Sequence, residues 1–407
     1  MKTYKIALVL AVVAQWGWFP AFAVAGTFGE DLAFLKQHTE MIVLRDTEGR
    51  TEVAVSPAWQ GRVMTSTAGG DGGIGFGWIN HDLIASGKLV PHINVFGGED
   101  RFWIGPEGGQ FSIFFAPGAK FDLADWYTPA PIDTLPFKVA RQDRTEVTFS
   151  SKFTLTNYSG TRLEVGVKRT VRLLTPPVAW QRLGVTPAEG VELVAYETDN
   201  QLSNVGQNAW TKETGLLSIW ILGQFNPSPS TTIVVPIKSG GEGDLGVKVT
   251  SDYFGIVPAD RLVVKETAVF FSGDGKYRSK IGVSPKRSRA ILGSYDANNK
   301  VLTMVQFSQP AGAVDYVNSQ WKLQNNPFSG DVINSYNDGP PSPGAKPLGP
   351  FYEMESSSPA AALASGESIS HVRTTIHLCG PEAALNAVAQ ERLGVSLDDI
   401  KAAIPSH

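Results

Sequence analysis

An all-β fold, large and mostly antiparallel with few short helices, is what this sequence predicts. Two observations carry that expectation and a third agrees with it. In residues 138–174, Val147, Phe149, Phe153 and Leu155 alternate with polar residues up to an Asn157-Tyr158-Ser159-Gly160 turn. Beyond it Leu163, Val165, Val167, Val171 and Leu173 alternate with Arg162, Glu164, Lys168 and Arg172. Period-two alternation on both sides of a turn is an antiparallel hairpin with one buried and one wet face. Strand-like segments recur along the chain without strand–helix–strand alternation, which argues against a doubly wound parallel sheet. The third observation is composition: 42 Gly, 26 Pro, 10 Trp and 21 Phe suit many strands joined by tight turns.

Taken in order, the chain opens with Lys2 and Lys5, then an unbroken apolar run from Ile6 to Ala14. That run is shorter than the roughly 20 residues needed to span a bilayer. Gly17 and Pro20 break any helix beyond it, and Ala21-Phe22-Ala23 and Ala23-Val24-Ala25 both fit small-x-small cleavage. Residues 1–25 therefore read as a cleavable signal peptide, with 26–407 a single exported domain, periplasmic or extracellular. Helices are expected at 28–38 and at 381–393, the second with Pro381 in its first turn and Gly394 as its stop. Strands are expected at 51–55, 62–66, 111–115, 191–196, 216–222, 231–236, 261–271, 276–283, 300–308 and 371–378. Two long segments, 116–136 and 325–350, read as loops at one rim of the β structure, where functional residues concentrate.

Several classes are disfavoured. The net charge of −4 and the lack of a Lys/Arg stripe argue against nucleic acid. No later apolar run approaches membrane length, so no membrane partner is expected after cleavage. Cys379 is the only cysteine, which excludes an intrachain disulfide. His-x-His and Cys-x-x-Cys spacings are missing, so no transition-metal site is expected. Gly70, Gly72 and Gly75 match GxGxxG, but Phe76-Gly77-Trp78 reads as strand or loop where a dinucleotide fingerprint needs a helix. No cofactor is expected.

The densest chemistry lies in 92–110, where His92, Asn94, Glu99, Arg101, Trp103 and Glu107 stand among glycines. An Arg fork and a Trp face beside carboxylates suit a sugar, with hydroxyls at its edge and C–H groups on its faces. A turn-rich corner with Arg101 paired to Glu99 or Glu107 is the structural alternative. His81 next to Asp82 is a second histidine position, ordinarily a surface pair. Asn200 and Trp210 belong to a polar strand end and the following segment, and Asn337 sits in the later loop. In 349–359, Glu353 and Glu355 alternate with Tyr352 and Met354, so on a strand both carboxylates share one face. Mutual repulsion then raises one pKa toward the range useful for acid or base work unless an Arg or Lys lies close; an exposed pair on a wet strand face is the alternative.

The segment Phe351-Tyr352-Glu353-Met354-Glu355-Ser356-Ser357-Ser358-Pro359, followed by Leu363-Ala364-Ser365-Gly366-Glu367 and a strand over 371–377, resembles the end of the galactose mutarotase-like superfamily, which includes the aldose 1-epimerases. The resemblance implies a supersandwich fold, a carbohydrate ligand and Glu355 as general base, with Arg101 as a substrate-binding residue. Gly97 to Trp103 and Gly108-Gly109-Gln110 resemble more closely an uncharacterised family of secreted bacterial proteins in that superfamily. Epimerases also carry a mid-chain general-acid His, and 199–220 contains none; His92 or His81 is the substitute the resemblance leaves. A carbohydrate-binding or carbohydrate-processing protein is the expectation, and a non-catalytic carbohydrate-binding or envelope interaction protein the alternative.

Overall fold

The computed structural model describes residues 26–404, so the segment read as a signal peptide lies outside the described residues. Three antiparallel sheets form the body. Ile42–Arg45, Glu52–Ser56 and Arg62–Thr67 make a three-stranded sheet. Ten strands make the large sheet, running in space from Leu262–Val264 at one edge to Lys138–Gln142 at the other. At its middle lie Val301–Phe307, Ser368–Cys379, Glu192–Asn204 and Arg162–Leu173. A five-stranded sheet is ordered Ser279–Val283, Ile333–Asn337, Tyr352–Ser357, Ser218–Phe225 and Arg101–Gly105.

The pleat sorts the large sheet's side chains between two cores. Ile233, Val235, Leu292 and Val305 face the five-stranded sheet and pack with Ile281, Ile333 and Met354. Their neighbours Val234, Ile291 and Met304 face outward and pack under helices Pro176–Leu183, Glu382–Leu393 and Leu397–Ala403. The architecture is therefore a β-sandwich with a helical cover on one outer face. Among the described residues, no helix is long and apolar enough to cross a membrane.

Between the sheets lies a layer of buried charge. Arg169 donates to Asp100 at 2.6 Å, Arg373 stands 3.4 Å from the same carboxylate, and Thr198 donates to it at 3.2 Å. Glu99 accepts from Ser66 at 2.8 Å and meets His377 at 2.9 Å. Arg373 also donates to the carbonyls of Ile221 and Met354, tying the large sheet to the small one. Buried charges are tolerable only when paired in this way, and removing one partner leaves the other stranded.

The helix Phe28–His38 forms where expected, with a Thr27/Glu30 capping box. The hairpin over 138–174 also forms, and Asn157 closes its turn by receiving the Thr161 amide. Four expectations need correcting. Residues 111–115 are not a strand: Ile113 and Phe115 are buried, but Phe115 makes only an isolated bridge to Trp126 and packs edge-on against Trp321. Residues 261–271 are two strands, because polar Lys265-Glu266-Thr267 lets Leu262–Val264 fold back on Ala268–Ser272. Residues 325–350 are not all loop, since Ile333–Asn337 pairs on both sides within the five-stranded sheet. Pro381 caps the helix Glu382–Leu393 and is not part of its first turn.

Candidate functional site

The five-stranded sheet positions the site. Register places Lys280 opposite Tyr336, Tyr336 opposite Glu353, and Glu353 opposite Gln224. The next row on the same face holds Asn334, Glu355, Leu222 and Arg101, and beyond it Trp220 pairs with Trp103. Directly opposed residues share a face, so one face collects polar and aromatic groups while Ile281, Met354, Ile221 and Phe102 turn to the interior. Over this face lies a cleft of about 600 Å³, walled by residues 90–95, 123–126, Trp321 and 348–351. Both loop segments expected at one rim border it, through Leu123, Ala124 and Trp126 on one side and Leu348 on the other.

The walls are aromatic. Trp103 and Trp220 meet edge to face at 5.2 Å, and Trp126 and Trp321 stack at 5.8 Å. Arg101 lies over Trp103 at 4.3 Å and pairs with Asp133 at 2.8 Å. Asp133 is thus the partner of Arg101, where Glu99 or Glu107 was expected. Gly97 and Gly98 sit at φ +95° and +109°, turning the chain before the strand begins. Strand parity therefore does not extend back to Glu99, which ends between the sheets with His377. Asp133 also receives the Asn94 side chain at 2.8 Å, so Arg101 and Asn94 together pin the 90–94 wall.

Glu353 and Glu355 share the predicted face but differ in setting. Glu353 lines the cleft and accepts from Gln224 at 2.9 Å. Burial first, and the neighbouring Glu355 second, push its carboxyl up to about 8. Glu355 is fully buried beneath the floor, where its Oε2 accepts from the Trp220 indole at 2.8 Å and from Lys280 at 3.2 Å. For Lys280, burial opposes its charge, but Glu355, Glu107 and Glu353 outweigh that and raise its pKa. Burial also raises half-buried Glu107, against the opposing effect of Lys280. His92 lines the opposite wall, stacked on Tyr127 at 4.3 Å. Its Nδ1 lies 2.6 Å from the Trp126 carbonyl, which can only accept, so in the neutral ring Nε2 carries no proton.

The structure thus brings His92, Arg101, Trp103, Glu107 and Glu353 to one cleft, with Glu355 directly below. The other residues singled out lie elsewhere. His81 begins the helix His81–Ser86, 3.4 Å from Asp31, which raises its pKa by hydrogen bonding. Asn94 stands behind the wall. Glu99 and Asn200 are in the layer between the sheets, Asn200 accepting from Arg169 at 2.5 Å. Trp210 is in the main core. Asn337 follows Tyr336 on the strand and so faces away, donating to Asp274 and to the Tyr277 carbonyl. Except for Trp210, which is core, local polarity had suggested a ligand where the fold supplies a protein partner.

Trp126, Trp220, Gln224, Arg278, Lys280, Trp321 and Tyr336 line the cleft without having been singled out. Lys280 carried a signal, as a lone cation in the otherwise uncharged Ser279-Lys280-Ile281-Gly282-Val283. Several polar atoms of the floor and walls have no hydrogen-bond partner: Arg101 Nε, Trp103 Nε1, Trp126 Nε1, Gln224 Oε1 and Glu355 Oε1. Such unpaired buried atoms also occur elsewhere in the fold, so by themselves they do not mark a ligand site. Among the described residues, no group of His, Cys, Asp and Glu is arranged to hold a metal ion.

A mostly antiparallel β-sandwich whose small sheet carries a carboxylate-bearing cleft defines a galactose mutarotase-like fold. A putative aldose 1-epimerase from Escherichia coli K12 superposes with a TM-score of 0.50 at 10% identity, over 84% of this chain and 99% of that one. A putative mutarotase from Salmonella typhimurium gives 0.47 at 11% identity, over 84% and 90%. A galactose mutarotase-like protein from Lactobacillus casei gives 0.46 at 10% identity, over 83% and 100%. No curated protein matches the chain. Residues 26–404 match a family of unknown function, DUF6786, and the chain belongs to that family.

Proposed function

We propose that the protein binds a carbohydrate in this cleft and transfers a proton at the sugar's anomeric centre. The observation that carries the reading is the pairing of tryptophan walls with a floor on which Glu353 and Glu355 stand in adjacent rows. Tryptophan faces take the C–H surfaces of a pyranose, and the polar side chains lining the cleft, Gln224, Glu353 and Arg278 among them, suit its hydroxyls. The two carboxyls differ in environment, the condition for one to donate a proton while the other stays charged. Glu353 is the group assigned to touch the ligand, with its proton available near neutral pH. His92, through unprotonated Nε2, is assigned the complementary role. Glu355, expected from the superfamily resemblance to be the base, is assigned instead to charge balance with Lys280. The epimerase name of the structurally similar Escherichia coli protein agrees with a sugar ligand.

A second reading, binding without turnover, is favoured by the sealing of Glu355 beneath Trp220 and Lys280. A glycan-binding screen followed by NMR of anomeric exchange separates the two. Loss of exchange with retained binding in Glu353→Gln supports proton transfer, and binding without exchange in the native protein supports the second reading. A protein that binds no glycan overturns both. We also propose export through residues 1–25, checked by N-terminal sequencing of the mature protein; retention of Met1 would overturn it.

A further inference from the structure

Three guanidinium or ammonium side chains line the main cleft: Arg101, Arg278 and Lys280. Two are committed to carboxylates, Arg101 to Asp133 at 2.8 Å and Lys280 to Glu355 at 3.2 Å. Arg278 is different. Among the described residues it makes no ion pair or side-chain hydrogen bond, and its guanidinium carbon stands 3.7 Å from the centre of the Phe254 ring. Glu107 and Asp338 feel its charge only at longer range. It is half-buried, so part of its hydration is already lost. Guanidinium is the cation suited to this setting, being weakly hydrated and able to stack while its fork stays free.

Arg278 also marks a junction. A second lobe of about 320 Å³ adjoins the main cleft and shares Glu107, Leu123, Phe254, Arg278, Lys280 and Trp321 with it. Its remaining charged residues, Asp252 and Lys322, are opposite in sign. The main cleft alone falls within the roughly 300–1,000 Å³ of drug-sized ligand sites, more than one hexose needs, and the lobe extends it.

We infer that the ligand is a saccharide of two or more units carrying an anionic group, a carboxylate or a sulfate or phosphate ester, which Arg278 receives while a neighbouring unit lies on the Glu353 floor. The inference rests on the sugar reading of the cleft and adds its substrate class. A planar, bidentate donor pairs with any of these anions, and a charge-assisted pair is stronger than a neutral hydrogen bond. A neutral sugar would leave the Arg278 fork in the cleft without an anionic partner.

The test is calorimetric binding of uronic-acid oligosaccharides of several linkages, each paired with its carboxyl-reduced neutral counterpart, alongside sulfated and phosphorylated oligosaccharides. The native protein is expected to prefer one anionic set over its neutral counterpart by at least about tenfold, and which set it prefers distinguishes carboxylate from ester. Arg278→Gln is expected to abolish that preference, so that acidic and neutral saccharides bind alike, and Arg278→Lys to keep part of it. Raising salt is expected to weaken only the anionic ligands. Thermal midpoints of both variants check that they fold. Equal binding of acidic and neutral saccharides, or a preference that survives Arg278→Gln, overturns the inference and leaves the sugar reading intact. Failure to bind any saccharide removes the sugar reading, and the inference with it.

Discussion

Replacing Lys280 by Met asks how strongly the floor of the cleft depends on one buried ion pair. The side chains of Lys280 and Glu355 are 8% and 0% exposed, with Nζ and Oε2 3.2 Å apart. At that distance and an effective dielectric of about 20, attraction is roughly 5 kcal/mol, much of it spent on desolvating both groups. Removing only the cation strands the buried Glu355 carboxyl with the Trp220 indole as its remaining donor. Stranding a buried partner in this way costs about 3–5 kcal/mol. Met keeps most of the lysine stem's volume, so a cavity adds little. Glu355→Gln removes the opposite charge and should cost less. The double variant should recover part of the loss, with a coupling of about 2 kcal/mol or more. Chemical denaturation at neutral pH, followed by tryptophan fluorescence and circular dichroism, measures all four proteins. A loss below about 1 kcal/mol for Lys280→Met, or additivity of the two single changes, would refute the reasoning.

Other outcomes rest on the same geometry. Carboxyl-labelled NMR should find Glu353 titrating near 8, and higher still in Lys280→Met, because Lys280 opposes the rise. The folded state then holds this proton more tightly than the unfolded chain, so the group's contribution to stability declines as pH rises from about 4.5 to about 8. Glu353→Gln should flatten that decline, and a titration midpoint below about 6 would count against the site. His371 is held neutral by burial first and by the Arg373 charge second, its pKa lowered to about 3. Only the unfolded chain takes up that proton as pH falls from 6.5 toward 3, so stability is lost over that window, by up to roughly 5 kcal/mol. His371→Gln should lessen the pH dependence there, as read by denaturation midpoints; an unchanged acid limb would contradict it. Gly97 stands at φ +95°, with the Trp78 carbonyl where a Cβ would lie. Gly97→Ala is expected to cost roughly 2–4 kcal/mol, and a thermal midpoint equal to the native value would show that the turn into Arg101 tolerates a side chain.

Much of the fold was legible because its rules are local. Alternation over 138–174 specified a hairpin, since a one-residue slip would move every buried side chain into water. The same parity, applied to residues 352–355, placed Glu353 and Glu355 on one face. Local reading failed in the irregular segments. Ile333–Asn337 reads as loop because Asn, Ser and Asn dominate it, yet strands on both sides supply its hydrogen bonds and it brings Tyr336 to the cleft. Phe111 to Phe115 reads as strand, yet its aromatics are held by other aromatics and not by a ladder.

The structure brought Arg101, Trp103, Glu107, His92 and Glu353 to one cleft; for this protein, sequence alone determined the all-β class, the main hairpin, the two helices first expected and a longer list of candidate residues. These follow from periodicity and residue chemistry, which act over a few neighbouring positions. Tertiary structure decided which polar residues face a ligand and which face each other. Asn94, Glu99, Asn200 and Asn337 look as suited to a sugar as Glu353 does, but each is engaged by a partner 31 or more residues away. Pairing over such separations is set by which strands lie side by side, and no local pattern encodes it. The same long-range ordering left Arg278 without a carboxylate partner among the described residues and Glu355 with Lys280, the two facts on which the site's proposed chemistry turns.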